Sequence, residues 1–193
     1  MTPLTEAHAE PLFAAFSADT DGRGATYLPY GPFQSAGDLL SFATLRAAGP
    51  DRFYTVVTDR PVGFASYLRI APDAGSIEIG NLYFSQHLQR TTEATEALSL
   101  MIGAAFAHGY RRVEWKCDAL NAPSCRAAER LGFRFEGVFR QATVYKGRNR
   151  DTAWYAILDA EWPALAARHA AWLDPSNFDG DGRQRASLET IVS

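Results

Sequence analysis

Hydrophobic and polar positions follow two rhythms along this chain, and the rhythm changes where the element changes. From Thr92 to His108 the apolar residues Ala94, Ala97, Leu98, Met101, Ile102, Ala105 and Phe106 recur at helical spacing, with Gly109 as a stop. Leu4 to Phe16, Ser35 to Ala48, Ser124 to Leu131 and Glu161 to Leu173 carry the same period more briefly. Between them, apolar and alternating runs predict strands. These are Phe53 to Thr58 and Val62 to Ile70 around the turn Asp59-Arg60-Pro61, then Ser76 to Phe84 and Arg111 to Ala119. Phe133 to Lys146 and Arg150 to Leu158 form a last pair. The segment Asp19 to Gln34, rich in glycine, proline and aromatic residues, predicts a loop. Strands alternating with helices, with hairpins at both ends, predict an α/β protein built on a sheet of mixed direction.

Composition narrows the picture. A chain of 193 residues with 47% apolar content is enough for one well-buried core. A net charge of -3 and a pI near 5.8 argue against a broad nucleic-acid footprint. No stretch approaches the roughly 18 apolar residues that span a bilayer, and no basic segment leads into an apolar run at the N-terminus. Cys117 and Cys125 are the two cysteines, which favours a reducing, cytoplasmic setting. They fit no zinc spacing, and His8, His87, His108 and His169 are scattered, so no metal site is expected. The run DPSNFDGDGRQRAS after Leu173 reads as a flexible tail or a docking arm outside the core. The expected division is a domain over 1–173 and a tail or arm over 174–193.

The densest chemical signal lies between Ile77 and Gly137. An apolar strand enters the polar loop Gln89-Arg90-Thr91-Thr92-Glu93-Ala94, which opens the long helix. A second strand leads to Asn121-Ala122-Pro123-Ser124 and to a short helix ending in Leu131-Gly132-Phe133. In this order the chain resembles the GNAT acetyltransferase superfamily, over roughly residues 5 to 163. The run from Gly132-Phe133 to Glu136-Gly137, with Asp151 to Glu161-Trp162, is similar to the branch that includes the ribosomal-protein N-terminal acetyltransferases. The resemblance implies the GNAT fold, a single mixed central sheet flanked by helices. Two parallel strands, here Ile77 to Phe84 and Arg111 to Ala119, splay apart and admit the cofactor. It also implies transfer of an acetyl group from acetyl-CoA, a cosubstrate, to a primary amine on a protein N-terminus or a small molecule. A homodimer is left open. So is a catalytically degenerate CoA-binding or sensory module, because Thr92 and Thr143 stand where the family has glycine and glutamate.

The resemblance also assigns roles. The loop Gln89, Arg90, Thr91, Thr92, Glu93 and Ala94 would hold the pyrophosphate at a helix N-terminus, where free amides favour anions. Asn121 would bond the pantetheine arm, and Ser124 would assist the departing thiolate; both also suit helix capping. Backbone N–H groups at Leu82, Tyr83 and Phe84, on the strand that carries a bulge in the family, would face the developing oxyanion. Glu78, on the same strand, is the expected base for the amine. Tyr27, Tyr30 and Phe33 are expected on the acceptor side.

Overall fold

A computed structural model describes residues 1–191. Seven strands form one sheet in the order β1 (Thr2–Pro3), β2 (Arg52–Val57), β3 (Pro61–Ala71), β4 (Ser76–Phe84), β5 (Arg112–Asp118), β7 (Arg148–Leu158) and β6 (Arg134–Tyr145). β4 and β5 run parallel and every other neighbouring pair is antiparallel. The helices are α1 (Ala9–Phe16), α2 (Ala36–Ala47), α3 (Thr92–Ala107), α4 (Ala122–Arg130) and α5 (Trp162–Leu173).

Strand alternation sorts side chains between two cores. Ile77, Ile79, Val113, Trp115 and Cys117 point to one face, where they meet Leu98, Met101 and Ile102 of α3 and Trp172 of α5. Phe53, Phe64 and Tyr83 point to the other, against Leu12 and Phe16 of α1 and Leu39 and Phe42 of α2. α4 ends at Leu131-Gly132-Phe133 because Gly132 adopts φ +96; a Cβ there would meet Leu165 of α5 at 2.6 Å.

Three expectations are corrected. Leu4 to Phe16 is not one helix: β1 and a 3-10 turn, Glu6–His8, precede α1. Tyr30 and Phe33 pack into the second core around Phe42 and do not line the acceptor space. Residues 174–191 are not outside the core, since Leu188 is fully buried. Asn177 holds this run in place, donating to the carbonyls of Trp172 (3.0 Å) and Ala186 (3.2 Å) and accepting from the Ala186 amide. Residues 192 and 193, the last of that run, lie outside the described residues.

Candidate active site

β4 and β5 pair from Ser76–Arg112 to Ile79–Trp115, but β4 continues to Phe84 and β5 to Asp118. Beyond Ile79 the parallel strands part. A cavity of about 1980 Å³ passes through the gap and reaches both faces of the sheet. One small ligand needs roughly 300–1,000 Å³, so this space suits two reactants meeting through the sheet.

A bulge shapes the gap. Two steps along β3, Phe64 to Ser66, match three along β4, Tyr83 to Gly80. Asn81 takes φ +54, which asparagine tolerates better than most residues. Its Nδ2 donates to Ser66 Oγ at 2.9 Å, and its Oδ1 accepts from the Tyr30 hydroxyl at 3.3 Å. The bulge re-aims the backbone from Leu82 to Phe84 toward the gap. Gln89 Nε2 closes this end, donating to the Phe84 carbonyl at 2.7 Å.

The half of the cavity beside α3 and α4 is lined by a helix N-terminus and arginines. Thr91 caps α3: its Oγ1 accepts from the Ala94 amide at 3.2 Å and donates to the Leu88 carbonyl at 2.8 Å. The first-turn amides of Thr92 and Glu93 have no intrahelical acceptor. Arg90, Arg126 and Arg130 line this half, and none has a carboxylate partner among the described residues. Arg130 donates to Thr95 Oγ1 at 3.0 Å and lies over the Trp172 ring, and a positive helix terminus beside three guanidinium groups without a carboxylate pair fits a polyanion. Deeper in, Asn121 caps α4 by accepting from the Ser124 amide at 3.3 Å. Its Nδ2 carries no hydrogen bond among the described residues. Ser124 Oγ accepts from Trp115 Nε1 at 3.0 Å, which leaves its own hydrogen to donate. Burial pushes the Cys117 thiol up to about 12, so it is a poor nucleophile near neutral pH.

The other half carries a charge ladder across the sheet. Glu78 Oε2 accepts from Arg69 Nη1 at 2.7 Å and from Lys116 Nζ at 2.9 Å. Lys116 also reaches Glu114 (2.7 Å), and Glu114 and Glu136 both hold Arg112 at 2.8 Å. Burial alone would raise the Glu114 carboxyl, but hydrogen bonds from Lys116 and Arg112 hold it below the usual range. Lys116 Nζ sits 3.7 Å from the centre of the Trp154 ring. The second oxygen of Glu78, Oε1, has no hydrogen bond among the described residues and would lie 3.5 Å from a Cβ added at Gly80. Each oxygen of Asp118 is already engaged: Oδ1 accepts from the Leu120 amide and Oδ2 from the Tyr145 hydroxyl at 2.8 Å. Burial and that bond push the Tyr145 hydroxyl up to about 12.

Glu78, Leu82, Phe84, Gln89, Arg90, Thr91, Thr92, Ala94, Asn121 and Ser124 all border this one cavity. Two expected residues do not. The Tyr83 ring stacks on Phe16 at 4.1 Å inside the second core, and its backbone pairs with Phe64 of β3. Glu93 is exposed and borders a small surface hollow with His87. Tyr27 does border the cavity, and its hydroxyl donates to the Leu120 carbonyl. The sequence reading missed Lys116, Asp118, Tyr145, Arg150 and Trp154. One signal was present: Arg112, Glu114, Lys116 and Asp118 alternate with Val113, Trp115 and Cys117 in a strand placed centrally in the sheet. Such strands are ordinarily apolar on both sides. Among the described residues, no group of His, Cys, Asp and Glu is placed to hold a metal ion.

Known proteins share this architecture. The acetyltransferase (GNAT) domain profile matches residues 1–134. An uncharacterized N-acetyltransferase, YnaD, of Bacillus subtilis is 24% identical over 152 residues, which is 77% of this chain and 88% of that protein. The crystal structure of a GCN5-related N-acetyltransferase from Brucella melitensis superposes with a TM-score of 0.94 at 42% identity, covering 97% of this chain and 87% of the other. RimL, a ribosomal L7/L12 alpha-N-protein acetyltransferase solved in complex with coenzyme A, superposes with a TM-score of 0.69 at 21% identity. That match covers 81% of this chain and 92% of RimL, and at such identity it speaks for the fold alone. The profile spans more than half of the sequence, and the Brucella melitensis structure superposes over nearly all of it: this chain belongs to the GNAT acetyltransferase family and is an acetyltransferase.

Proposed function

We propose that the protein transfers the acetyl group of acetyl-CoA to a primary amine. The observation that carries this reading is the cavity through the splayed gap, lined by a helix N-terminus and arginines on one side of the sheet and open to a second reactant on the other. RimL, crystallised with coenzyme A, shares the fold, which supports the choice of cosubstrate. Acetyl-CoA supplies a thioester: a carbon–nitrogen bond forms, the carbon–sulfur bond breaks, and one proton passes from the amine while the sulfur gains one.

The chain's own groups divide this work. The α3 N-terminus from Gln89 to Ala94 holds the pyrophosphate with Arg90, Arg126 and Arg130 around it, and Asn121 Nδ2 donates to the pantetheine arm. Amides between Leu82 and Phe84 stabilise charge on the carbonyl oxygen. Glu78 Oε1, unlike either oxygen of Asp118, is spare to take the amine proton, directly or through water. Ser124, its oxygen already oriented by Trp115, donates its hydroxyl proton toward the departing sulfur and recovers one from solvent. The acceptor is the N-terminus of a protein or a small amine, met in the cytoplasm, where two cysteines remain thiols. Residues 1–173 form the transferase domain and 174–191 an arm docked on it.

The test is thermal unfolding with acetyl-CoA, followed by thiol release from acetyl-CoA over a panel of amines. Native-state binding raises Tm by mass action. No rise near a millimolar acetyl-CoA, or no amine-dependent release from any acceptor, would sink the proposal.

A further inference from the structure

The charged groups of the acceptor half are nearly all spoken for. Asp19 accepts from the amides of Arg23 and Gly24, and Asp21 pairs with Arg23 at 2.6 Å. Glu78 takes Arg69 and Lys116, while Asp118 takes the Tyr145 hydroxyl and the Leu120 amide. At the tip of the β6–β7 hairpin, Lys146 donates to the carbonyls of Ala25 and Tyr30 and Arg148 to that of Thr26, which ties the tip to the α1–α2 loop.

Arg150 is different. It borders the cavity and is half-buried. Its Nε donates to Thr152 Oγ1 at 3.0 Å, which fixes the guanidinium plane. Both terminal nitrogens have no acceptor, and no carboxylate pairs with it, among the described residues. Directly across the β6–β7 register stands Thr143, which is uncharged and also borders the cavity. Asp151, next in sequence, is engaged by the Gln141 amide and by Asn149. Thr152 is paired in register with Asp118, the last residue of β5, so Arg150 stands beside the mouth of the gap. A planar donor pair, oriented and without a protein acceptor, matches a carboxylate in bidentate geometry.

We propose that Arg150 binds a carboxylate of the acceptor, so that the amine acetylated belongs to an amino-acid-like molecule carrying both groups. This rests on the acetyl-CoA-to-amine reading above and narrows its acceptor. The Trp154 ring, two positions beyond Thr152 on the same strand face and stacked with Phe139 at 4.4 Å, offers a flat apolar wall for the rest of such a molecule.

The test compares common L-amino acids, β-alanine and 4-aminobutyrate with their C-terminal amides, by thiol release from acetyl-CoA with the full chain. A charge-assisted pair predicts a preference for the acid of about tenfold or more in kcat/KM. Amide formation lowers the basicity of an α-amine and so favours the amide intrinsically; a preference for the acid therefore cannot come from amine reactivity. Arg150→Gln should erase the preference by lowering kcat/KM for the acid, chiefly through KM, and leave the amide within about threefold. Thr143→Glu, which sets a carboxylate across from Arg150, should do the same without touching the arginine. Equal use of acids and amides by the unaltered protein overturns the proposal, as does an Arg150→Gln loss equal for both. Absence of thiol release with every amine instead refutes the underlying transfer reading.

Discussion

Lys116→Met puts the charge ladder to the test. The Lys116 side chain is 4% exposed and lies between Glu78 (4%) and Glu114 (14%), which stand opposite each other in the β4–β5 register. Methionine keeps an unbranched stem against Trp154 and removes the charge and its donors. The two carboxylates then share one face of the sheet, held by Arg69, itself 60% exposed, and by Arg112. Removing one partner of a buried ion pair costs about 3–5 kcal/mol. Because each carboxylate keeps one arginine, the lower end applies, about 3 kcal/mol. In a chain of 193 residues each kcal/mol moves Tm by about 2–4 °C, so the fall is roughly 6–12 °C in a thermal melt at neutral pH. Adding Glu78→Gln to Lys116→Met removes the uncompensated carboxylate and should return about 1–3 kcal/mol, a coupling of opposite sign to the first loss. A drop below about 2 °C, or a double variant no more stable than the single one, refutes the reasoning.

Two further outcomes are expected. Asn121→Ala should weaken acetyl-CoA binding by calorimetry and also cost about 1 kcal/mol of stability, because the side chain caps α4 as well as facing the cavity; unchanged affinity would reduce Asn121 to its cap. Leu188→Ala should destabilise by about 2–5 kcal/mol in denaturant titration, because the residue is fully buried against the core; a loss under about 0.5 kcal/mol would mean that the arm does not hold.

The elements most legible in the sequence were those with sustained period. α3 matches its expected span to within a residue, since seven apolar positions at helical spacing leave one face to bury. β4 is found where expected, from Ser76 to Phe84. What escaped was set by long-range packing. Tyr30 and Phe33 sit in a loop of glycines and prolines, and their sequence neighbourhood carries no sign of the aromatic cluster that buries them. The arm from 174 to 191 has the composition of a flexible tail, yet its few apolar residues, Phe178, Leu188 and Ile191, all reach the core. Composition averages over a segment, whereas burial is decided by single side chains. The bulge at Asn81 is an intermediate case: an asparagine after glycine inside an apolar strand hints at a local break, but its register needs β3 alongside.

Thr143 connects the fold to the chemistry. The family resemblance places a glutamate at that position, and its absence first reads as a loss of catalytic capacity. In the folded chain Thr143 stands across from Arg150, on the face that also carries Thr152 and Asp118. A glutamate there would meet the guanidinium and spend its charge on it. With threonine, the arginine is left for a ligand, and the burden of proton removal shifts to a different strand. In the mechanism proposed above Glu78 is the group that would meet that need, because the ladder occupies one of its oxygens and the residue borders the cavity. Two cations on Oε2 also fix the carboxylate's orientation, which favours a positioned proton acceptor over a mobile one. On the proposed reading, threonine in place of a carboxylate on β6 therefore changes what the site can bind, and the base comes from β4.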